Sequence, residues 1–323
     1  MTRHRHTFHL LAAALAATLA SASGVGAQSP RTIRLIVPLQ PGGGTDILAR
    51  VVSEQIGRTR PITMIVENRP GAGTAIGAEA VARSAPDGNT LLMATSSFVI
   101  TPHFRKLGYD PVTSFAPICH LASSPLIVVV NSASPYRTLA DLLNAARDKP
   151  GDLTLVSAGP GGGPHVAVEM LKRAANVRMT YVPYPGGAPA VNALLGEHVT
   201  AVLTDYPTAM AQIKAGKLRA LATSLRTRDK IFPEIPTVAE SGYAEYEADL
   251  WFGALAPAKT PQSALSELAN AFTATMLLPE VKTKLVPLGL FPAEKCGADF
   301  GAFVRKQYDD YGRIIREANI KGE

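Results

Sequence analysis

The sequence has little cysteine and no grouping of residues typical of a metal site. Its 323 residues include two cysteines, Cys119 and Cys296, and neither belongs to a pair with metal-ligand spacing. No zinc or iron site, and no other cofactor, is therefore expected. The wide separation of the two residues favours two unpaired thiols, with a disulfide in an oxidising compartment as the alternative.

The sequence also lacks a dense block of lysine and arginine with interleaved aromatic residues. This absence argues against a nucleic-acid partner. After residue 27 no apolar stretch approaches the roughly 18 residues of a membrane span. Hydrophobic residues make up 46% of the chain, which excludes a disordered protein, and the length is sufficient for two domains.

The first 27 residues have the pattern of a secretory signal peptide. Arg3 and Arg5 precede a short apolar core, and small residues lead to Ala27. We expect cleavage after about Ala27 and a periplasmic mature protein. Without Arg3 and Arg5, 30 of the 32 basic side chains remain against 26 acidic ones, a net charge of about +4.

Two kinds of catalytic or cofactor motif are absent or incomplete. No G-x-S-x-G nucleophile elbow is present, although Ser157, His165 and Asp205 could in principle supply a Ser–His–Asp set. The glycine-rich run at residues 71–77 superficially suggests a dinucleotide loop, but no matching acidic residue for a ribose follows it. An enzyme acting on a carboxylic acid remains an alternative class.

A glycine-rich stretch, Pro41-Gly42-Gly43-Gly44-Thr45-Asp46, joins a predicted strand to a predicted helix. Apolar residues run from Ile33 to Pro38, and helical periodicity begins at Ile47. Such a turn leaves the first helical N–H groups free at the positive end of the helix dipole. The stretch therefore predicts an anion site; a simple chain reversal is the alternative, and Thr45 or Asp46 could cap the turn.

Strands and helices alternate along the chain, which predicts an α/β fold with parallel strands and right-handed crossovers. Ligands in such sheets lie beyond the carboxyl ends of the strands, so residues 42–46, 68–73 and 95–97 are placed at one rim. Residues 102–117 are proline-punctuated and read as irregular, before a strand at residues 126–130. Asp205 is placed just beyond a strand at residues 199–203.

A second alternation contains its own glycine-rich turn at residues 157–165. Two similar units joined by two apolar crossing strands predict two lobes with a cleft, a usual place for a small-molecule site. We assign residues 28–125 and 250–323 to lobe 1 and residues 126–249 to lobe 2. Closure about the crossing strands is the expected motion.

The sequence resembles the Bug/TctC family of extracytoplasmic solute receptors of tripartite tricarboxylate transporters. The resemblance covers almost the whole mature chain. It rests on the joint order of several motifs: PGGGTD at 41–46, VENRPGAG at 66–73, APDG at 85–88, VPY at 182–184, AQIKAGKLRALA at 211–222, IPTVAESG at 235–242, WFG at 251–253 and AP at 256–257.

The resemblance implies a type II periplasmic binding protein fold whose lobes close around a small carboxylate. In this family the carboxylate is held largely by backbone amides, hydroxyls and bridging waters. The second glycine-rich turn departs from the family pattern, because Gly161 to Pro164 replace the usual serines or threonines. Pro185 and Gly187 likewise stand where lysine and serine are frequent. We therefore expect the first turn to carry more of the anchoring.

The candidate ligand-binding residues combine the two turns with side chains at nearby strand ends. For His165 a loop-orienting role, for Asp46 and Asp205 a helix-capping role, for Ser96 a plain loop role and for Tyr184 structural packing are the alternatives. The full set is Gly42, Gly43, Gly44, Thr45, Asp46, Ser96, Ser157, Gly159, Gly161, Gly162, Gly163, His165, Tyr184 and Asp205.

The predicted function is capture of a small organic carboxylate for a membrane transporter of the tripartite tricarboxylate type. We expect a non-enzymatic monomer whose partners are the ligand and the transporter subunits. A sensor that reports its ligand to a kinase is an alternative that the sequence does not separate from transport.

Overall fold

The computed structural model describes residues 31–159, 161–228 and 232–321. The predicted signal peptide, residues 1–27, lies outside the described residues. The chain divides into residues 1–31 and a compact unit, residues 32–323, and the architecture below is that of the second unit.

The strands and helices alternate through most of the chain, as predicted. The strands are β1 (Arg31–Val37), β2 (Ile62–Asn68), β3 (Thr90–Thr95), β4 (Phe115–Asn131), β5 (Leu155–Ala158), β6 (Pro183–Tyr184), β7 (Ala201–Asp205), β8 (Leu218–Thr223), β9 (Asp249–Pro257) and β10 (Phe291–Pro292). The α-helices are α1 (Gly44–Thr59), α2 (Ala75–Ala82), α3 (Ser97–Ile100), α4 (Leu139–Asp148), α5 (Gly163–Ala174), α6 (Gly187–Leu195), α7 (Tyr206–Lys214), α8 (Gln262–Leu277), α9 (Pro279–Leu285) and α10 (Gly297–Glu317).

One mixed sheet connects these strands in the order β2-β1-β3-β9-β4-β7-β5-β6, and β8 and β10 also pair with β4. β1 runs parallel to β3, and β5 runs parallel to both β6 and β7. β9 is antiparallel to β3 and β4. The predicted α/β class is confirmed, with antiparallel crossing strands inserted between two sets of parallel strands.

Strand β4 links the two sets because it changes partners along its length. Pro125 is the last residue that pairs with β9, and Leu126 is the first that pairs with β7. The predicted lobe boundaries at residues 125/126 and 249/250 stay a prediction. The expectation of irregular structure up to residue 117 is wrong at its end, since β4 begins at Phe115. Pro117 and Pro125 concealed the strand, because proline cannot donate to a ladder; one of two register shifts follows Pro117.

Apolar faces of the helices cover both sides of the sheet. In α1, Leu48, Val52 and Ile56 are fully buried, which is the spacing expected of one helix face. In α10, Phe300 and Val304 pack in a second cluster that includes Trp251 of β9. Burial of each such side chain contributes roughly 1.5–3 kcal/mol, so these faces fix where the helices begin relative to the strand ends.

The expectation of unpaired cysteines is wrong. Cys119 in β4 and Cys296, the residue before α10, form a disulfide across an isolated antiparallel bridge. The two residues are 177 positions apart, and that separation conceals their proximity in the fold.

Candidate functional site

The first glycine-rich turn is held in shape by Asp46. Its carboxylate accepts hydrogen bonds from Gly42 N at 3.1 Å, Arg50 Nε at 2.9 Å and Asn68 Nδ2 at 3.0 Å. Gly42 has φ +89°, a conformation that favours glycine. Burial acts to raise the pKa of Asp46, but the hydrogen bonds outweigh it and leave the pKa below its usual value. Asp46 therefore serves the turn as a permanent anion.

The helix that follows this turn begins against a second carboxylate. Gly44 N, at the start of α1, donates to Asp205 Oδ2 at 2.7 Å. Asp205 is the last residue of β7 and precedes α7, so it lies in the strand and not beyond it as predicted. The hydroxyl groups of Thr204 and Thr208 also donate to its carboxylate. Burial raises the pKa of Asp205, although these hydrogen bonds act in the opposite direction.

The contact between Gly44 and Asp205 requires a residue without a side chain at position 44. A Cβ built on Gly44 would collide with Asp205 Oδ2, whereas one on Gly43 would meet Thr208 Oγ1 at an ordinary 3.7 Å. The glycine run therefore permits close approach between segments 161 residues apart in sequence.

The second glycine-rich turn is held by neutral groups. Gly161 N donates to His165 Nδ1 at 3.1 Å, and Gly163 N donates to Ser97 Oγ at 3.2 Å. His165 also stacks on Tyr181, with ring centroids 4.1 Å apart. Burial lowers the pKa of His165, and the accepting Nδ1 requires the neutral ring. His165 thus orients the turn, which is one of its two predicted roles.

A small cavity of about 50 Å³ lies between these two turns. The starts of three helices converge on it: α1 through Gly43 to Thr45, α5 through Pro164, and α6 through Gly186 and Gly187. Among the described residues its lining contains one charged side chain, Asp205, and no lysine or arginine. The amide dipoles of the helix ends are therefore the positive groups that this cavity presents.

A larger cavity of about 360 Å³ adjoins the small one and shares Leu39, Gln40 and Gly159 with it. Tyr184 and the turn at residues 70–74 form other parts of its lining. In that turn Ala72, Gly73 and Thr74 all have positive φ, between +50° and +83°. A left-handed run of this kind stores backbone strain, which is frequent at ligand sites.

The structure brings some of the predicted site residues to these cavities and keeps others behind them. The cavities are lined by Gly43, Gly44, Thr45, Gly159, Tyr184 and Asp205. Those outside both linings are Gly42, Asp46, Ser96, Ser157, Gly161, Gly162, Gly163 and His165. The binding role of each residue stays a prediction.

Sequence reasoning missed several lining residues. Ser97 lines the small cavity in place of its neighbour Ser96, which is fully buried against Gly163. Thr204 and Thr208 flank Asp205 and also line the cavity. The hydroxyls next to a charged residue at a strand end were the available signal for these two threonines.

The three residues of the hydrolase alternative do not form a catalytic set. Ser157 Oγ bonds the hydroxyl of Tyr181 at 3.1 Å, His165 Nδ1 accepts from Gly161, and Asp205 accepts from Gly44. No hydrogen bond links the serine to the histidine, or the histidine to the aspartate, in the described part of the chain. The geometry therefore offers no activated nucleophile.

Two other features were searched for among the described residues. No cluster of three or more histidine, cysteine, aspartate or glutamate side chains there could hold a metal ion. No helix in that part of the chain is long and apolar enough to cross a bilayer.

A mixed sheet with helix starts converging on a cleft is the architecture of an α/β periplasmic binding protein. The chain is similar to the periplasmic binding protein BugD, with a TM-score of 0.87 and 31% identity over 91% of this chain and 99% of that one. It is similar to Rpa4515 of R. palustris, solved with adipate, with a TM-score of 0.88 and 29% identity over 91% and 99%. It also resembles MatC from Rhodopseudomonas palustris with bound malate, with a TM-score of 0.82 and 27% identity over 88% and 99%.

Residues 48–320 match the TctC family, described as the tripartite tricarboxylate transporter family receptor. The chain belongs to this family of solute-binding receptors. The resemblance inferred from the motifs and the predicted periplasmic binding protein fold are both confirmed.

Proposed function

We propose that this protein binds a small organic carboxylate between its two predicted lobes and delivers it to a membrane transporter of the tripartite tricarboxylate type. The observation that carries this proposal is the convergence of three helix starts on a cavity whose described lining holds no cation. Residues 1–27 direct export and are removed, and the mature monomer acts in the periplasm.

A carboxylate is the ligand that this arrangement favours. Hydrogen bonds that involve a charged group contribute about 1.5–3 kcal/mol each. A few such bonds from backbone amides and from the hydroxyls of Thr45 and Ser97 suffice for micromolar affinity, about −8 kcal/mol, after ordering costs. The absence of a buried cation in the described lining keeps release possible, because no strong ion pair has to be broken.

The two adjoining cavities fit a ligand with an anionic end and a longer body. The small cavity accommodates the carboxylate and the 360 Å³ cavity accommodates the rest, with Tyr184 as an aromatic wall. The acids named with two relatives, adipate and malate, each carry two carboxylates, which supports an organic acid of this class.

The proposal is tested by thermal unfolding of the mature protein against mono-, di- and tricarboxylates, aromatic acids, amino acids and neutral sugars. A ligand at 100 times its Kd adds about 2.7 kcal/mol to the free energy of unfolding. We expect one group of carboxylates to raise the Tm, and a sugar that does so while every carboxylate fails would overturn the proposal.

A second measurement separates binding from catalysis. The acid recovered from the complex after long incubation is analysed by mass spectrometry. We expect it to be unchanged, since the structure links no base to a nucleophile; steady product formation would instead favour the enzyme alternative.

A further inference from the structure

A third cavity, of about 460 Å³, lies where the two crossing strands meet helices α5 and α10. Its walls come from β4 through His120 and Ser123, from β9 and the residues just before it, from α5 and from α10. Leu250 lines both this cavity and the small carboxylate cavity, so the two are neighbours but distinct. The volume lies within the usual range of about 300–1,000 Å³ for ligand pockets.

Two polar atoms in its walls have no partner within the protein. The indole Nε1 of Trp251 and Nδ1 of His120 are both buried without a hydrogen bond, in side chains that are 2% and 6% exposed. An unpaired buried polar group costs about 1–3 kcal/mol, which a ligand in the cavity can recover. His120 Nε2 lies 3.1 Å from the carbonyl of Ala122, so the neutral ring leaves Nδ1 as an acceptor, whereas the indole is a donor.

One carboxylate in the cavity also lacks a counterion. Asp249 has the hydroxyl of Ser224 as its hydrogen-bond partner, at 3.5 Å, and forms no ion pair with a described residue. The two other acidic side chains of the lining are paired, Glu247 with Arg226 and Asp310 with Lys306. A negative charge that the protein itself leaves uncompensated in a pocket favours a cationic ligand.

Aromatic rings complete this environment. Trp251 and Phe303 cross edge to face with centroids 5.7 Å apart, and Tyr311 of α10 is another part of the lining. Lys295 lies with its ammonium 5.0 Å from the Phe303 ring, so the protein already places one cation over this aromatic cluster. Lys295 is an exposed residue and does not pair with Asp249.

We propose that this cavity is a second binding site, for a small organic cation that combines a protonated amine, an apolar body and a hydrogen-bond acceptor. The ammonium donates to Asp249 and His120 Nδ1, the apolar body packs on the aromatic rings, and the acceptor takes the indole N–H of Trp251. The cavity does not depend on the carboxylate site, and either site can fail without the other.

Trp251 is the single tryptophan of the chain, so its fluorescence reports occupancy of this cavity directly. Phenylethanolamine is titrated into the mature protein and compared with the isosteric alcohol in which a methyl group replaces the ammonium. We expect a saturable change in emission with the amine, and affinity at least about tenfold weaker for the alcohol. Equal affinity for the two compounds, or no saturable change with either, would overturn the proposal.

Two variants and the pH sharpen this test. Asp249→Asn should weaken amine binding at least about tenfold, whereas Glu245→Gln, at a residue whose side chain is 95% exposed outside this cavity, should leave it unchanged. Undiminished binding by Asp249→Asn would contradict the proposal. If that variant does not fold, the comparison of amine and alcohol on the unmodified protein still decides.

The pH dependence has a defined sign. Burial, with the nearby charge of Glu247, raises the pKa of Asp249 to about 6. The other groups that face it are Tyr246, Tyr311 and Asp310, and burial raises the pKa of both tyrosines. Burial lowers the pKa of His120 to about 4, so its ring stays neutral. Amine binding should therefore weaken as the pH falls from about 8 to about 5, and binding that strengthens over that range would count against Asp249.

Discussion

The two glycine-rich turns look alike in the sequence but are stabilised by different chemistry. In the first turn a carboxylate takes the amide of Gly44 at 2.7 Å, and a second carboxylate, Asp46, takes that of Gly42. In the second turn a hydroxyl takes the amide of Gly163 at 3.2 Å, and an imidazole takes that of Gly161. Hydrogen bonds to a charged acceptor are roughly twice as strong as those between neutral groups.

This difference changes the expected division of labour between the turns. The sequence suggested that the first turn anchors more of the ligand, because the second lacks its usual hydroxyls. Asp205 already occupies the amide of Gly44, so the first turn has less to offer an incoming anion. Across the cleft, each turn faces its own partner segment, Asp205 for the first and Ser97 for the second, and the turns do not bond each other.

The largest effect should come from adding a methyl group where the first turn meets Asp205. In Gly44→Ala the new Cβ displaces the Asp205 carboxylate and breaks its bond to the Gly44 amide. We expect loss of about 1.5–3 kcal/mol, which weakens carboxylate binding about 10- to 150-fold. Calorimetric titration with the acid found in the thermal screen measures this change.

Gly43→Ala is the matched control for that variant. A Cβ at position 43 meets nothing closer than Thr208 Oγ1 at 3.7 Å, so binding should change little. Equal affinities for the two alanine variants would show that the bond between Gly44 and Asp205 does not support ligand binding.

The second turn should respond through stability. His165→Ala leaves the buried Gly161 amide without its acceptor, and we expect a loss of about 1–3 kcal/mol in the free energy of unfolding. His198→Ala, at an exposed position, is the control and should have little effect. Urea unfolding of both variants measures the difference. A loss no larger than that of the control would mean that His165 does not hold the turn.

The same histidine has a pH signature. Because burial lowers its pKa, the stability it supplies is present above the unfolded value of about 6.5 and is lost as the pH falls through the lower folded value. The difference in unfolding free energy between the unmodified protein and His165→Ala should therefore shrink on acidification. A difference that grows instead would indicate a charged imidazolium in the turn.

The smallest effect should be the pH dependence that Asp205 contributes. Burial raises its pKa, so ionisation costs the folded state, and the stability relative to Asp205→Asn should fall as the pH rises through the folded pKa. The effect is small because Gly44, Thr204 and Thr208 offset part of the burial cost. Unfolding free energies of both proteins across about pH 4 to 8 measure the slope, and a slope of opposite sign would show that these hydrogen bonds outweigh burial.

Local patterns predicted the elements around the first turn well, because their causes are local. The apolar run from Ile33 became β1, and the helical spacing of Leu48, Val52 and Ile56 became the buried face of α1. The extent of β4 was not predictable in the same way. Its prolines weaken the strand signal, while pairing with β9 and β7, distant in sequence, supplies the missing stabilisation.

The site was predictable to the level of strand ends and no further. The rule for parallel sheets placed Gly43, Thr45 and Gly159 correctly at the cleft. It does not resolve which of two adjacent residues faces the ligand, and Ser97 rather than Ser96 lines the cavity. Nor does it foresee that Asp205 bonds Gly44, since that contact depends on how segments 161 residues apart come together.

The disulfide between Cys119 and Cys296 has a mechanical consequence. It closes a covalent ring over a separation of 177 residues, which includes every residue of the predicted lobe 2. A force applied to the two ends of the chain passes through the sulfur atoms and bypasses that ring. Pulled in an oxidising medium, the protein should therefore extend by the contour of its outer segments alone, and a reductant should release the enclosed segment.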